Sequence, residues 1–440
     1  MDSTGYRVTG LGDEFDPFAG DSATWYAFMR RARREEPVFY SSVLDYWVVT
    51  RWDDVMEVLH DSATYSSANT LAPIKPPCPA AVHVMGEYGI NPGPSLVDLD
   101  PPEHARHRQV FRKSFTPERV DALEPRAREL IDEAIDRVIA RGHADVVTDL
   151  VWDPPAKIAF ALMGVPEYEV EKIRTGTARM ATMGWGVPSD AEQVELAVQI
   201  GEYWAFAQEQ VARIIADPGE NLMGDLVRAW REPGNEDMLN EDQLSWIFLN
   251  TLFAAHETTS NATAAGLRAL LTYRDQWEAI CSDRSLIPNA VEEILRFDSS
   301  VPTWRRVTTR PATLGGVELP QGAKLLIALG SANRDETRFP DGERFDVRRE
   351  NAKDQLAFSW GRHTCLGARV ARMEMRVFLE QLTGRLPHME LVDQEFTYSP
   401  NTSHRGPEHV LVRWDPDWAP TTSFDGTHSA TSRTPQRTSG

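Results

Sequence analysis

Cys365 lies in the run Phe358-Ser359-Trp360-Gly361-Arg362-His363-Thr364-Cys365-Leu366-Gly367, a single thiol framed by two glycines, a histidine and an aromatic residue, immediately before a helical pattern at residues 368–382. A helix starting there aims its free N–H groups and positive dipole end at the sulfur, which favours thiolate by about 0.3–1 kcal/mol. Thiolate is the metal-binding form of cysteine. Gly361 and Gly367 suit a backbone that turns sharply or passes close to a flat group. A lone cysteine is more often an inert buried thiol, so the reading depends on what accompanies it.

Three other spacings carry chemistry. Ala254-Ala255-His256-Glu257-Thr258-Thr259 puts an acid and hydroxyls among Leu249, Leu252 and Phe253 in a long helical pattern. The ordinary alternative is that Thr258 bonds back to the preceding turn and Glu257 reaches a salt bridge or solvent. Glu293 and Arg296 stand one helical turn apart, an arrangement that on a surface contributes a few tenths of a kcal/mol. His104 and Arg108 share an i, i+4 face behind Asp100-Pro101-Pro102-Glu103, which by itself reads as a solvated basic helix start.

The elements that must position these groups are mainly helical. Periodicity predicts helices over 24–36, 52–59, 120–141, 166–183, 191–216, 241–273 and 275–297, and strands at 38–41, 46–50, 312–319, 324–328 and 410–414. Residues 66–95 carry six prolines and read as a long loop bordering a ligand pocket. Residues beyond Trp418 are rich in Thr, Ser, Pro and Gly and read as a disordered tail.

The 440 residues carry 66 acidic against 46 basic side chains, a net charge of −20, which argues against nucleic acid or anionic membrane as the main partner. Two local basic clusters run against that balance: His104, Arg106, His107, Arg108, Arg112 and Lys113, and Arg362, Arg369, Arg372 and Arg376. Three scattered cysteines, with neither a basic leader nor a long apolar segment, predict a cytoplasmic chain without disulfides or a membrane anchor.

Together these motifs resemble the cytochrome P450 family, of the soluble bacterial type, over most of the chain. The Cys365 run resembles its cysteine loop. Ala254 to Thr258 is similar to its oxygen-activation motif, with Ala255 where the family usually has Gly. Glu293-Ile294-Leu295-Arg296 is similar to its Glu-x-x-Arg, and Phe339-Pro340-Asp341-Gly342-Glu343-Arg344-Phe345 to the stretch that supplies a third member, here Arg344. The resemblance implies one mainly α domain with small β-sheets (α+β), residues 16–415 between an extension (1–15) and a tail (416–440). The haem would lie between a long distal helix and the helix after the cysteine loop.

It further implies haem b with Cys365 as axial iron ligand and Phe358, Gly361 and Gly367 around it. His104, Arg108, His363 and Arg306, or its neighbour Arg305, would bind the propionates. Thr258 and Glu257 would serve O2 activation, Glu293, Arg296 and Arg344 would form a structural triad, and Ala254, Val301, Trp304 and Thr402 would line the pocket. The implied reaction inserts one oxygen atom of O2 into a small apolar or aromatic molecule. No flavin or iron–sulfur motif is visible, so electrons are expected from NAD(P)H through a separate ferredoxin or flavodoxin and its reductase, docked by the basic clusters on a monomer. A peroxide-driven or non-oxidative haem-thiolate enzyme and an inactive P450-like binding module are the alternatives. Glu257 and Thr258 argue against the first, and retention of Cys365 against the second.

Overall fold

The computed structural model describes residues 10–19, 22–170, 176–235 and 239–417. The helix Glu241–Thr272 organises it, starting where the Asn240 side chain accepts the Gln243 N–H at 2.8 Å. A helix apolar all round has to be covered all round. Its first half buries Leu244, Phe248 and Leu252 with Phe160 and Trp204, against helices Asp153–Met163 and Asp190–Ala216. Its second half buries Ala262, Leu267 and Leu270 in a core shared with Ile294 and Val377, from helices Ile287–Phe297 and Ala368–Arg385. None of the described helices is long and apolar enough to cross a membrane.

Five short strands form the main sheet in the order Val38–Ser41, Tyr46–Val49, Lys324–Ile327, Trp304–Thr308, Tyr65–Ser66. Antiparallel register sets Trp304 opposite Ile327 and Arg306 opposite Leu325. Strand alternation therefore sends Trp304 and Arg306 to one face and Arg305 to the other. That alternation separates two adjacent arginines with different surroundings.

Prolines account for several differences from the predicted elements, while the 312–319 strand divides at Gly315–Gly316, both at positive φ, and the strands Trp304–Thr308 and Tyr65–Ser66 carry no predicted counterpart. The 120–141 and 275–297 patterns each divide, and Pro125 and Pro288 open the second helix of each pair, Glu124–Ile139 and Ile287–Phe297. Within the proline-rich loop Pro79 starts a helix, Pro79–Glu87. Proline in a first turn loses no helical hydrogen bond, so it begins helices as readily as it ends them. Residues 10–15, predicted to be part of an extension, fold onto the sheet: Leu11 and Phe15 are buried, with Phe15 against Phe39 at 5.5 Å. Residues 1–9 and 418–440, the latter nearly all of the predicted tail, lie outside the described residues.

Candidate active site

The cysteine loop closes on itself through the Cys365 N–H to the Phe358 carbonyl (2.9 Å) and the Thr364 N–H to the Gly361 carbonyl (3.2 Å). Gly361 holds φ +72°, a conformation that a side chain would strain. Gly367 has an ordinary φ of −78° and opens the helix Ala368–Arg385, close enough that a Cβ there would lie 3.8 Å from the Cys365 sulfur. Phe358 packs beside the thiol under the Arg372 guanidinium, 4.5 Å from its ring centroid. Protein encloses Cys365, yet its sulfur surface opens on an internal cavity.

Burial pushes the Cys365 thiol up, and the Gly367 and Ala368 amides with Arg108 and Arg372 offset this only in part. The helix end predicted to favour thiolate is present, but desolvation outweighs it. A metal ion bound at Cys365 would supply the remaining charge stabilisation.

At one edge of the cavity four cationic or donor side chains converge. The His104 and His363 rings are in contact, centroids 4.2 Å apart and tilted by 46°, and His363 Nε2 lies 2.9 Å from Ser67 Oγ. Arg108 donates to the Thr364 carbonyl at 2.6 Å and Arg306 to the Arg305 carbonyl at 2.6 Å. Burial lowers His104 to about 4, His363 to about 3 and Arg306 to about 10, and Arg306 and Arg108 press on His363 as well. His104 Nε2 is buried with no hydrogen-bond partner, and no described carboxylate forms an ion pair with Arg108 or Arg306. So many donors around one edge suit a dianionic rim. Arg305 belongs elsewhere: it donates to the Ala72 carbonyl and lies under Trp185 at 5.4 Å.

On the opposite wall Ala254, Ala255 and Thr258 face the cavity. The Thr258 hydroxyl donates back to the Ala254 carbonyl at 2.7 Å, as the ordinary alternative predicts, while still lining the space above Cys365. Glu257 is largely buried, its side chain 11% exposed, and burial pushes its carboxyl up to about 7. Val301 and Trp304 line the cavity as predicted. Thr402 does not. Its N–H donates to the Trp185 carbonyl at 3.0 Å and its carbonyl accepts from the Thr303 hydroxyl at 2.6 Å, so it pins the turn, and His404 two residues later takes the cavity position. Trp185, Phe253, Leu71 and Phe111 complete the walls. No local pattern identifies His404, because which turn residue faces inward depends on what the turn packs against.

The charge lock lies behind the cysteine loop. Arg296 meets Glu293 through two hydrogen bonds, 2.7 and 2.8 Å, and neither side chain has measurable exposure. The third member is Arg349, not Arg344: Arg349 Nε lies 3.2 Å from Glu293 Oε2, whereas the Arg344 side chain is 66% exposed and meets only Asp346 at 3.8 Å. Arg344 contributes its backbone carbonyl, which accepts from both Arg296 (3.0 Å) and Arg349 (2.9 Å). The chain turns after Phe345, whose buried ring packs against Phe297 at 5.2 Å, and so delivers the later arginine inward.

The family described as Cytochrome P450 matches over residues 217–388. Cytochrome P450 107B1 of Saccharopolyspora erythraea is 33% identical over 90% of this chain and 96% of its own length. The chain belongs to the cytochrome P450 family. Among solved P450 structures, an intact type IV self-sufficient cytochrome P450 monooxygenase superposes with a TM-score of 0.90 and 45% identity over 94% of this chain. The chain spans 54% of that longer protein. Cytochrome P450 CREJ, solved in complex with (4-ethylphenyl) dihydrogen phosphate, gives a TM-score of 0.88 with 36% identity over 92% of this chain and all of its own. This P450 is accordingly an oxidoreductase of the monooxygenase class, with haem as its cofactor and O2 as co-substrate.

Proposed function

We propose that this P450 binds haem b through Cys365 and inserts one oxygen atom of O2 into a small apolar or aromatic molecule held above it. The observation that carries the reading is a single cavity bounded on one side by Cys365 and on the other by Ala254 and Thr258. Bound haem supplies the oxygen-activating redox chemistry. The chain supplies a ligand, a dry pocket and protons. Arg108, Arg306, His104 and His363 hold the propionates by charge-assisted bonds. Thr258 lines the oxygen side, where its hydroxyl would pass on a proton by turning from the Ala254 carbonyl, and Glu257, holding a proton up to about pH 7, would replenish it. Val301, Trp304, Trp185 and Phe253 give the substrate an apolar and aromatic wall, and CREJ's alkylphenyl phosphate supports an arene of that size.

Electrons enter on the cysteine side from a ferredoxin or flavodoxin fed by NAD(P)H. His104, Arg108, Arg112 and Arg362 share a surface hollow there, beside Trp360, which is 48% exposed. Three arginines of the second basic cluster are neutralised internally, Arg369 by Asp121, Arg372 by Glu292 and Arg376 by Glu124 and Glu380. Docking therefore falls to Arg112, Lys113 and Arg362.

The test is the absorption spectrum after dithionite reduction and carbon monoxide addition. The red-shifted Soret band of a thiolate–iron–CO complex, abolished in Cys365→Ala, is the expected result, and an unshifted band in intact protein overturns the assignment of Cys365. A screen of small arenes for substrate-induced spin-state change, followed by turnover with a ferredoxin and its reductase, then tests substrate class and electron source.

A further inference from the structure

The distal wall holds buried polar atoms for which the reading above has no task. His404 packs in a three-ring cluster with Trp185 and Phe253, its ring centroid 4.8 and 4.6 Å from theirs at interplanar angles of 14° and 20°, while those two rings lie 5.6 Å apart. Its backbone N–H donates to Asn401 Oδ1 at 2.6 Å. A buried imidazole packed against two large rings has little rotational freedom. Its Nδ1 stands 4.0 Å from Glu257 Oε2, and neither atom has a hydrogen-bond partner. The Tyr203 hydroxyl, from helix Asp190–Ala216, is also buried without a partner and feels the Glu257 charge. Arg305 is the remaining charged neighbour, on the His404 side.

Each unpaired buried polar atom costs roughly 1–3 kcal/mol, and three of them grouped at Glu257 call for an explanation, such as a catalytic role or a shared water. Burial pushes Glu257 up to about 7 and His404 down to about 3, so between these values both are neutral. A protonated carboxyl is then a donor, and a neutral imidazole with its proton on Nε2 presents Nδ1 as the acceptor. A small rotation of the Glu257 side chain, or one water shared with Tyr203, closes the gap.

Resting on the monooxygenase reading, we propose that His404 is the positioning residue for the Glu257 proton: its fixed Nδ1 accepts the carboxyl O–H and parks the proton beside the cavity until Glu257 turns toward Thr258. Glu257 then gives up one proton on the Thr258 side and takes one back from water, while His404 stays neutral and changes no bond.

The experiment compares His404→Phe, which keeps the ring stack but removes Nδ1, with His404→Asn, whose side-chain oxygen occupies about the same place. In the ferric holoenzyme the Glu257 carboxyl is read by its infrared C=O stretch, identified by its loss in Glu257→Gln. The expected result is a shift to higher frequency in His404→Phe, with product formed per electron pair consumed falling about tenfold, the equivalent of one hydrogen bond. Both effects should be largely restored in His404→Asn, and should follow the presence of the side-chain acceptor and not the change in substrate affinity read from the spin-state titration. An unmoved C=O band overturns the proposal. So does weaker substrate binding without a band shift, which would make His404 a substrate anchor. If the wild type itself forms no product, the monooxygenase reading is what fails, and the band shift alone then upholds or overturns the Glu257–His404 contact.

Discussion

Two regions on opposite sides of the haem cavity treat buried charge in opposite ways. Behind the cysteine loop, Glu293, Arg296 and Arg349 saturate one another: Arg296 also donates to the carbonyls of Asn333 and Gly342 at 2.8 Å each, and the Asp346 N–H donates to Glu293 at 2.8 Å. On the distal wall Glu257, His404 and Tyr203 each keep a polar atom without a partner. A saturated network has one arrangement and resists change, so it serves as scaffold. An unsaturated one is less stable but can exchange a proton, and it lies where protons are needed. Both regions contain buried carboxylates next to basic side chains, and hydrogen-bond satisfaction is what separates their roles.

The largest expected effect separates ligand from lock. Cys365→Ala should abolish both the red-shifted carbon monoxide band and turnover while leaving the lock intact, as far-ultraviolet circular dichroism can verify. Next comes the lock itself. Glu293→Gln or Arg349→Leu strands a buried charge and should cost about 3–5 kcal/mol with loss of haem, whereas Arg344→Ala should stay within about 0.5 kcal/mol. Denaturant midpoints and haem content of the three variants decide between Arg349 and Arg344.

Glu257 gives a pH signature opposite in sign to that of a paired carboxylate. Its folded pKa is about 7 against an ordinary value of 4.5. Between these the unfolded chain releases a proton that the folded chain keeps, so its effect on stability worsens as pH rises from about 4.5 to about 7. Relative to Glu257→Gln, the wild type should lose on the order of 3 kcal/mol between pH 4 and pH 8. Parallel stability profiles for the two proteins would remove the buried-proton basis for the distal chemistry. The smallest effect belongs to the surface: Arg112→Gln with Arg362→Gln should raise the KM for a ferredoxin about three- to tenfold at low salt, with the difference shrinking as ionic strength rises.

The sequence was most legible where function demands a local pattern. The cysteine loop, with a glycine at positive φ, the Glu293–Arg296 turn and the His104–Arg108 face are all set by contacts within ten residues, and each appears where its spacing places it. Legibility failed where the partner comes from a turn. Arg344 lies in the matching stretch, yet the backbone after Phe345 brings Arg349 to Glu293 instead. Thr402 and His404 lie in one irregular turn, and the bonds of Thr402 to the Trp185 carbonyl and from the Thr303 hydroxyl make the first a latch and leave the second part of the wall.

The amino-acid order by itself therefore determined the mainly helical class, the thiol at a helix start, and the acid–hydroxyl pair inside a long apolar helix, because periodicity and capping act over one or two turns. Tertiary structure alone decided which of two adjacent arginines faces His363, which arginine completes the lock, and that Glu257 meets His404. These choices depend on the burial of groups more than fifty residues apart. Desolvation, which sets whether such a group is paired, neutral or charged, is a property of the packed surroundings and has no local sequence code.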